Sequence, residues 1–306
     1  MRPVALRLPD GVRCAIALTY DTDMAGGYAP DGTCHGRTMP ALQEHMLRLC
    51  DTAEAFAVSL QFFQIGNGLE EDDLDYLREI LRRGHLVDSH TYSHMPLIGD
   101  PDALRDELAR TNRLFEQRLG RRSTALRGPG GYQRGLLDHP ANQQVILDCG
   151  FRWVSCRYDA TLQDHDPRYA VEAPARDLPY AYPTGLVEFP IQGYSDRVWF
   201  DTVHCVDQPA YAAWRAAHGH RPVPSGWRRA PWTHPEALDR WISYNLAVAD
   251  FVYQRRLAWV PCWHPYSHYL HDPENRMLPA LLEHCAAKPE RAWVCTMRDL
   301  VEMTSP

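Results

Sequence analysis

Short apolar runs alternate with longer amphipathic segments along the chain. Residues 14–20, 58–64, 85–89, 124–127, 151–156, 186–191, 257–263 and 292–297 are brief, apolar-rich runs that read as strands. Residues 40–57, 70–83, 101–119, 135–149, 235–256 and 274–287 carry helical spacing, and a short helix follows the last strand. Pro101 opens one helix, and Gly84, Gly120 and Gly150 stand just past three of them. This is the end asymmetry of real helices. Seven or eight strands alternating with helices predict an α/β fold of parallel βα units, whose active site lies at the C-terminal strand ends. Residues 160–234 break the rhythm, with many Pro, Trp, Tyr and His and little periodicity. They read as an insertion over the mouth of the site or at an oligomer contact.

The 306 residues are 45% hydrophobic and 23% charged, which excludes a disordered or fibrous chain. A net charge of −7 argues against a nucleic-acid partner that needs a basic surface. No run approaches roughly 18 apolar residues, so no membrane span is expected. The first residues lack an apolar core of signal-peptide length, and the expected compartment is the cytoplasm. The nine Cys are scattered without a C-x-x-C pair and read as buried thiols.

Four motifs follow predicted strands. In Asp21-Thr22-Asp23, two carboxylates at a strand end either share a pocket, one on a metal and one as base, or serve as turn and helix caps. In His90-Thr91-Tyr92-Ser93-His94, two imidazoles at i and i+4 on one face of a helical turn reach one ion, or form a surface pair. Together with Asp23 they make a His₂Asp set with open positions, the form of a catalytic metal site. In Arg127-Gly128-Pro129-Gly130-Gly131-Tyr132, Gly-rich backbone can approach a ligand, and Arg127 can hold a carboxylate ionised; the alternative is a plain turn. His264, in Trp263-His264-Pro265, is either a general acid or base or a rim histidine.

Together these segments resemble the polysaccharide deacetylase superfamily (NodB-homology, carbohydrate esterase family 4). Phe62-Phe63-Gln64-Ile65-Gly66 and Gly84-His85 ahead of Ser89–His94 add to the likeness. The resemblance implies a distorted (β/α) barrel of NodB-homology type spanning residues 1–306, with the 160–234 insertion. It implies one divalent ion, zinc foremost, with Co²⁺, Mn²⁺, Ni²⁺ or Fe²⁺ as alternatives. Asp23, His90 and His94 would match its ligands, and Asp21 the catalytic base oriented by Arg127. Gly130 would match the oxyanion-stabilising N–H, and His264 the general acid. Asp159, in Phe151–Asp159, is the nearest candidate partner for His264. Trp153, Trp263 and Tyr132 are candidates for a substrate wall.

Spaced rather than adjacent aspartates, and Pro265 after His264, resemble a branch acting on small cyclic amides, whose members are typically oligomers. A homo-oligomer, dimer or tetramer, is the corresponding expectation. The leading functional expectation is metal-dependent hydrolysis of a C–N amide bond, most simply deacetylation of an N-acetylated sugar or related amide. A cyclic-amide or ureide hydrolase is the alternative, and a non-catalytic sugar-binding or assembly module a third. Trp199, Trp214, Trp227, Trp232 and Trp241 are read mainly as packing. His204, His218, His220 and His234 match no metal spacing, Cys34-His35 could line the pocket, and Cys262 is expected to share a strand face with His264.

Overall fold

Alternate residues of the first apolar run face opposite sides of a sheet. On β1 (Val12–Ala17) and β2 (Thr19–Asp21), Cys14, Ile16, Leu18 and Tyr20 join Phe62 and Val87 in the core beneath the surrounding helices. Ala15 and Ala17 point the other way, into a cluster with Phe63, Ala125, Phe189 and Val260. That second cluster is the interior of a barrel, and alanine suits its narrow bore. The same parity carries Thr19 and Asp21 inward at the strand end. The structure, a computed structural model, describes residues 1–23, 35–217 and 223–305; Cys34, His218 and His220 lie outside them.

From β2 the chain adds parallel neighbours in order. They are β3 (Gln61–Gln64), β4 (Leu86–Ser89), β5 (Leu126–Tyr132), β6 (Trp153–Arg157) and β7 (Val187–Glu188). Both β8 (Ala258–Trp259) and β9 (Arg291–Cys295) pair in parallel with β1. Gln192 closes the ring: its N–H donates to the Val260 carbonyl at 3.0 Å, and its Oε1 accepts from the Val260 N–H at 2.8 Å. With β1 and β2 taken as one interrupted strand, eight parallel strands among the described residues form a distorted (β/α) barrel, as expected.

The helices that wrap it include α1 (Pro40–Ala55), α2 (Asp75–Arg82), α3 (Pro101–Leu119), α4 (Pro140–Asp148), α5 (Gln208–Ala216), α6 (Ala237–Arg255), α7 (Pro265–His271) and α8 (Met277–Ala286). Three boundaries differ from the sequence reading. Helix α2 starts at Asp75, where the Asp73 carboxylate accepts from the Asp75 N–H. Helix α4 starts at Pro140, a first-turn proline that needs no N–H partner. The strand expected over 257–263 is short because Pro261 cannot donate to the ladder; Trp263 rejoins it through a bridge to Tyr20.

Within 160–234, β7 is a barrel strand and α5 stands over the mouth of the site. The tryptophans there pack on each other. Trp199 and Trp232 are buried, Trp199 lies 5.4 Å from Trp241 of α6, and Trp214 lies 5.5 Å from Trp227 and 5.4 Å from Trp232 between ring centres. The eight described cysteines are all free. Among the described residues no helix is long and apolar enough to cross a membrane.

One glycine on β5 is fixed by packing. A Cβ on Gly128 would lie 2.5 Å from Cys156 Cβ and 2.9 Å from Leu97 Cδ1, closer than carbon atoms approach. Gly128→Ala is therefore expected to destabilise the fold by about 1–3 kcal/mol, read as a lower midpoint in urea.

Candidate metal centre and active site

Four strand ends converge on one cavity. Inward parity continues from β2 into the loop that bears Asp23, and the described wall joins Asp21, Asp23, His90, His94, Gly130, Cys262 and His264. The cavity holds about 510 Å³, within the range of small-molecule sites.

Asp23, His90 and His94 are buried, and one ligand atom from each lies within 4.8 Å of the others. His94 Nε2 is 3.7 Å from Asp23 Oδ2, and His90 Nε2 is 3.9 Å from Asp23 Oδ1. The His pair does not sit on a helical turn, contrary to the sequence reading. Residues 90–94 form a loop in which Thr91 and His94 take positive φ (59° and 64°), and this brings the rings to 4.9 Å. Left-handed backbone at non-glycine residues is strained by about 1–3 kcal/mol each, the kind of strain found at functional sites.

These residues fit a divalent ion on four observations. Asp23 Oδ1 is buried without a hydrogen-bond partner. The Asp23 carboxyl stays ionised: burial alone would raise its pKa, but His264, His94 and Arg197 hold it well below the usual carboxylate range. His94 is a neutral ligand, because burial pushes its pKa down to about 4 despite the opposing pull of Asp23. His90 is oriented from behind, its Nδ1 bonding the Arg127 carbonyl at 3.0 Å, as metal-binding imidazoles commonly are. Arg197 Nη1 also donates to Asp23 Oδ2 at 2.8 Å.

Asp21 sits beside this group. Its Oδ2 is 3.9 Å from His90 Nε2 and accepts from the Cys262 thiol at 3.2 Å. Its Oδ1 faces Arg127 Nη1 at 3.5 Å. Arg127 is fully buried, held by Nη2 donating to Thr19 Oγ1 at 2.7 Å and by the Phe63 ring 4.9 Å away. Gly130 borders the cavity at φ 81°, a conformation that glycine takes without strain.

His264 stands opposite, its Nε2 3.3 Å from Asp23 Oδ1. Its partner is Asp196, not Asp159. Asp196 Oδ1 bonds His264 Nδ1 at 2.6 Å, and Oδ2 accepts the His264 backbone N–H at 2.6 Å. Burial would lower the imidazole pKa, but Asp23 and Asp196 push it up to about 10. Asp159 closes a local turn instead, accepting from the Thr161 N–H at 3.0 Å and from Gln133 Nε2 at 3.3 Å.

None of the three wall candidates borders the cavity among its described lining residues. Parity turns Trp263 outward, between inward Cys262 and His264, onto Tyr20 and Trp259. Trp153 begins β6, and so lies at the barrel end away from the site, packed on Phe189. Tyr132 spends its hydroxyl on the backbone, accepting from the Leu97 N–H and donating to the Pro129 carbonyl, both at 2.7 Å. The wall comes instead from Tyr158, Ile191, Arg197, Tyr211 and Arg215. The sequence reading missed Asp196, although the rule that found the other residues applies to it: it follows the strand expected over 186–191.

Residues 12–151 match the Polysaccharide deacetylase family. No curated protein matches the chain by sequence. Solved structures share its fold over nearly the whole length. A protein from Mycobacterium smegmatis assigned as a polysaccharide deacetylase aligns with TM-score 0.65 and 22% identity, covering 99% of this chain and 93% of its own. A probable polysaccharide deacetylase from Pseudomonas aeruginosa PAO1 gives 0.61 and 13%, covering 97% and 92%. Puue allantoinase gives 0.59 and 15%, covering 97% and 91%. The family match covers residues 12–151, and the fold shared from end to end makes the whole chain similar to polysaccharide deacetylases.

Proposed function

We propose that this protein is a metal-dependent amidohydrolase that deacetylates a small N-acetylated sugar or related amide. The observation that carries this reading is the convergence of a buried Asp23-His90-His94 set with an Arg-held carboxylate, Asp21, and a carboxylate-held imidazole, His264, on one cavity.

Asp23, His90 and His94 would hold the ion. When bound it supplies Lewis acidity toward the amide carbonyl and lowers the pKa of water. Arg127 holds Asp21 in the cavity wall, where its carboxylate takes a proton from the attacking water. The Gly130 backbone is placed to meet the negative charge that develops on the carbonyl oxygen. His264, whose pKa Asp23 and Asp196 push up against burial, gives its Nε2 proton to the departing nitrogen, while Asp196 holds the ring through Nδ1. Water adds to the acyl carbon and the C–N bond breaks, leaving a carboxylate and an amine.

The residues over the mouth, from Ile191 to Arg215, favour a small substrate over an extended polymer. The same feature supports a second reading, ring opening of a small cyclic amide, consistent with the spaced Asp21 and Asp23. A panel of N-acetylated amino sugars, hydantoins, imides and allantoin separates the two. Acetate release from the first class alone supports deacetylation, and ring opening alone supports the second. Turnover of neither, by the metal-loaded enzyme, overturns the assignment to amide hydrolysis.

A further inference from the structure

A second set of potential ligands lies against the first. Asp21, Cys262 and His264 are buried, and one ligand atom from each lies within 4.8 Å of the others. We propose that Asp21, Cys262 and His264 form a second, inhibitory site for a thiophilic divalent cation such as zinc or cadmium, filled only after the Asp23-His90-His94 site.

The donor chemistry selects the class of ion. One sulfur, one imidazole and one carboxylate suit zinc and cadmium far better than magnesium or calcium. The imidazole is already arranged as a ligand, since Asp196 takes Nδ1 and leaves Nε2 facing the cavity. A carboxylate behind a histidine is the usual outer support of a metal-bound imidazole. The thiol already touches the carboxylate, Cys262 Sγ lying 3.2 Å from Asp21 Oδ2. Asp21 Oδ1 is buried with no hydrogen-bond partner.

Two features make the site secondary. Arg127 Nη1, 3.5 Å from Asp21 Oδ1, repels a cation there. His264 Nε2 lies only 3.3 Å from Asp23 Oδ1, so an ion already held by Asp23 raises the electrostatic cost of a second one nearby. Binding forms an Sγ–metal bond, and the thiol and imidazolium protons leave to solvent. Occupancy would take the base and the acid of the proposed reaction together, so excess metal would inhibit. That consequence rests on the proposed function; the site itself does not.

The test is a Cd²⁺ titration of the metal-free protein, following thiolate-to-metal charge-transfer absorbance alongside calorimetry. The first equivalent is expected to bind without a thiolate band, and the second to produce one. Cys262→Ser and Cys262→Ala should each lose the band and weaken the second equivalent by at least about tenfold, while retaining the first. Absence of a thiolate band through several equivalents, or a band that persists in both variants, would overturn the proposal. With the zinc-loaded enzyme and a substrate it turns over, zinc beyond one equivalent should inhibit the wild type and spare Cys262→Ser. A cadmium band from a protein that hydrolyses no amide would leave the second site standing and sink only the functional reading.

Discussion

His90→Ala is expected to lose the bound ion and to lower kcat/KM by at least a thousandfold. His90 supplies Nε2 to the Asp23-His90-His94 set, and its Nδ1 is anchored on the Arg127 carbonyl. The same substitution therefore removes a ligand and loosens the link between the metal set and the arginine that holds Asp21. Lewis-acid stabilisation is worth several kcal/mol, and about 4 kcal/mol corresponds to a factor of 10³. Metal content of the dialysed variant and steady-state kinetics check both halves. A variant that keeps stoichiometric metal and near wild-type turnover would remove His90 from the site. A preserved unfolding midpoint would show that the loss is local.

Asp196→Asn is expected to lower kcat by roughly a hundredfold, the usual worth of a positioned general acid, and to move the alkaline limb of the pH profile to lower pH. Burial lowers the His264 pKa, but Asp23 and Asp196 outweigh it and push the value up to about 10. An acid is active while protonated, so activity falls as pH rises through the pKa of His264, and in the loaded enzyme an ion on Asp23 offsets that carboxylate's push and sets the limb below the metal-free value. Removing one of the two charges brings the fall to lower pH. The linked effect on stability has the same sign. A group whose pKa rises on folding, here from 6.5 to about 10, contributes stability that is complete below about 6.5 and is lost as pH rises toward 10. Asp196→Asn should flatten that decline. NMR titration of His264 in the metal-free wild type and variant, with kcat profiles of the loaded enzymes, provides the check. An unmoved limb would separate Asp196 from His264 function.

Much of this site was legible because barrel enzymes place chemistry at strand ends, and strand ends are readable from apolar runs. Asp21, Asp23, His90 and His264 follow such runs and Arg127 ends one, and all border one cavity or hold a residue that does. Parity was legible too: Cys262 shares the inward face with His264. The substrate wall was not. Aromatic type suggested Trp153, Trp263 and Tyr132, but type does not report direction; Trp263 faces outward and Trp153 lies at the far end of its strand. The partner of His264 was misplaced for a related reason. Asp159 follows a strand, but its carboxylate is used by its own turn, while Asp196 reaches His264 from 68 residues away in sequence, across an aperiodic stretch. Local pattern carries no information about a contact of that range. The helical turn expected for His90 and His94 failed because i and i+4 spacing also fits a tight loop, provided two residues accept left-handed backbone.

Amide hydrolysis by this protein is expected to need one ion held by Asp23, His90 and His94. The most direct test is elemental analysis of the purified protein, with acetate release measured before chelation, after it, and after addition of one equivalent of zinc. One divalent ion per chain, activity lost on stripping and regained on reconstitution, is the predicted result. Full amide hydrolysis by the metal-free protein would contradict it.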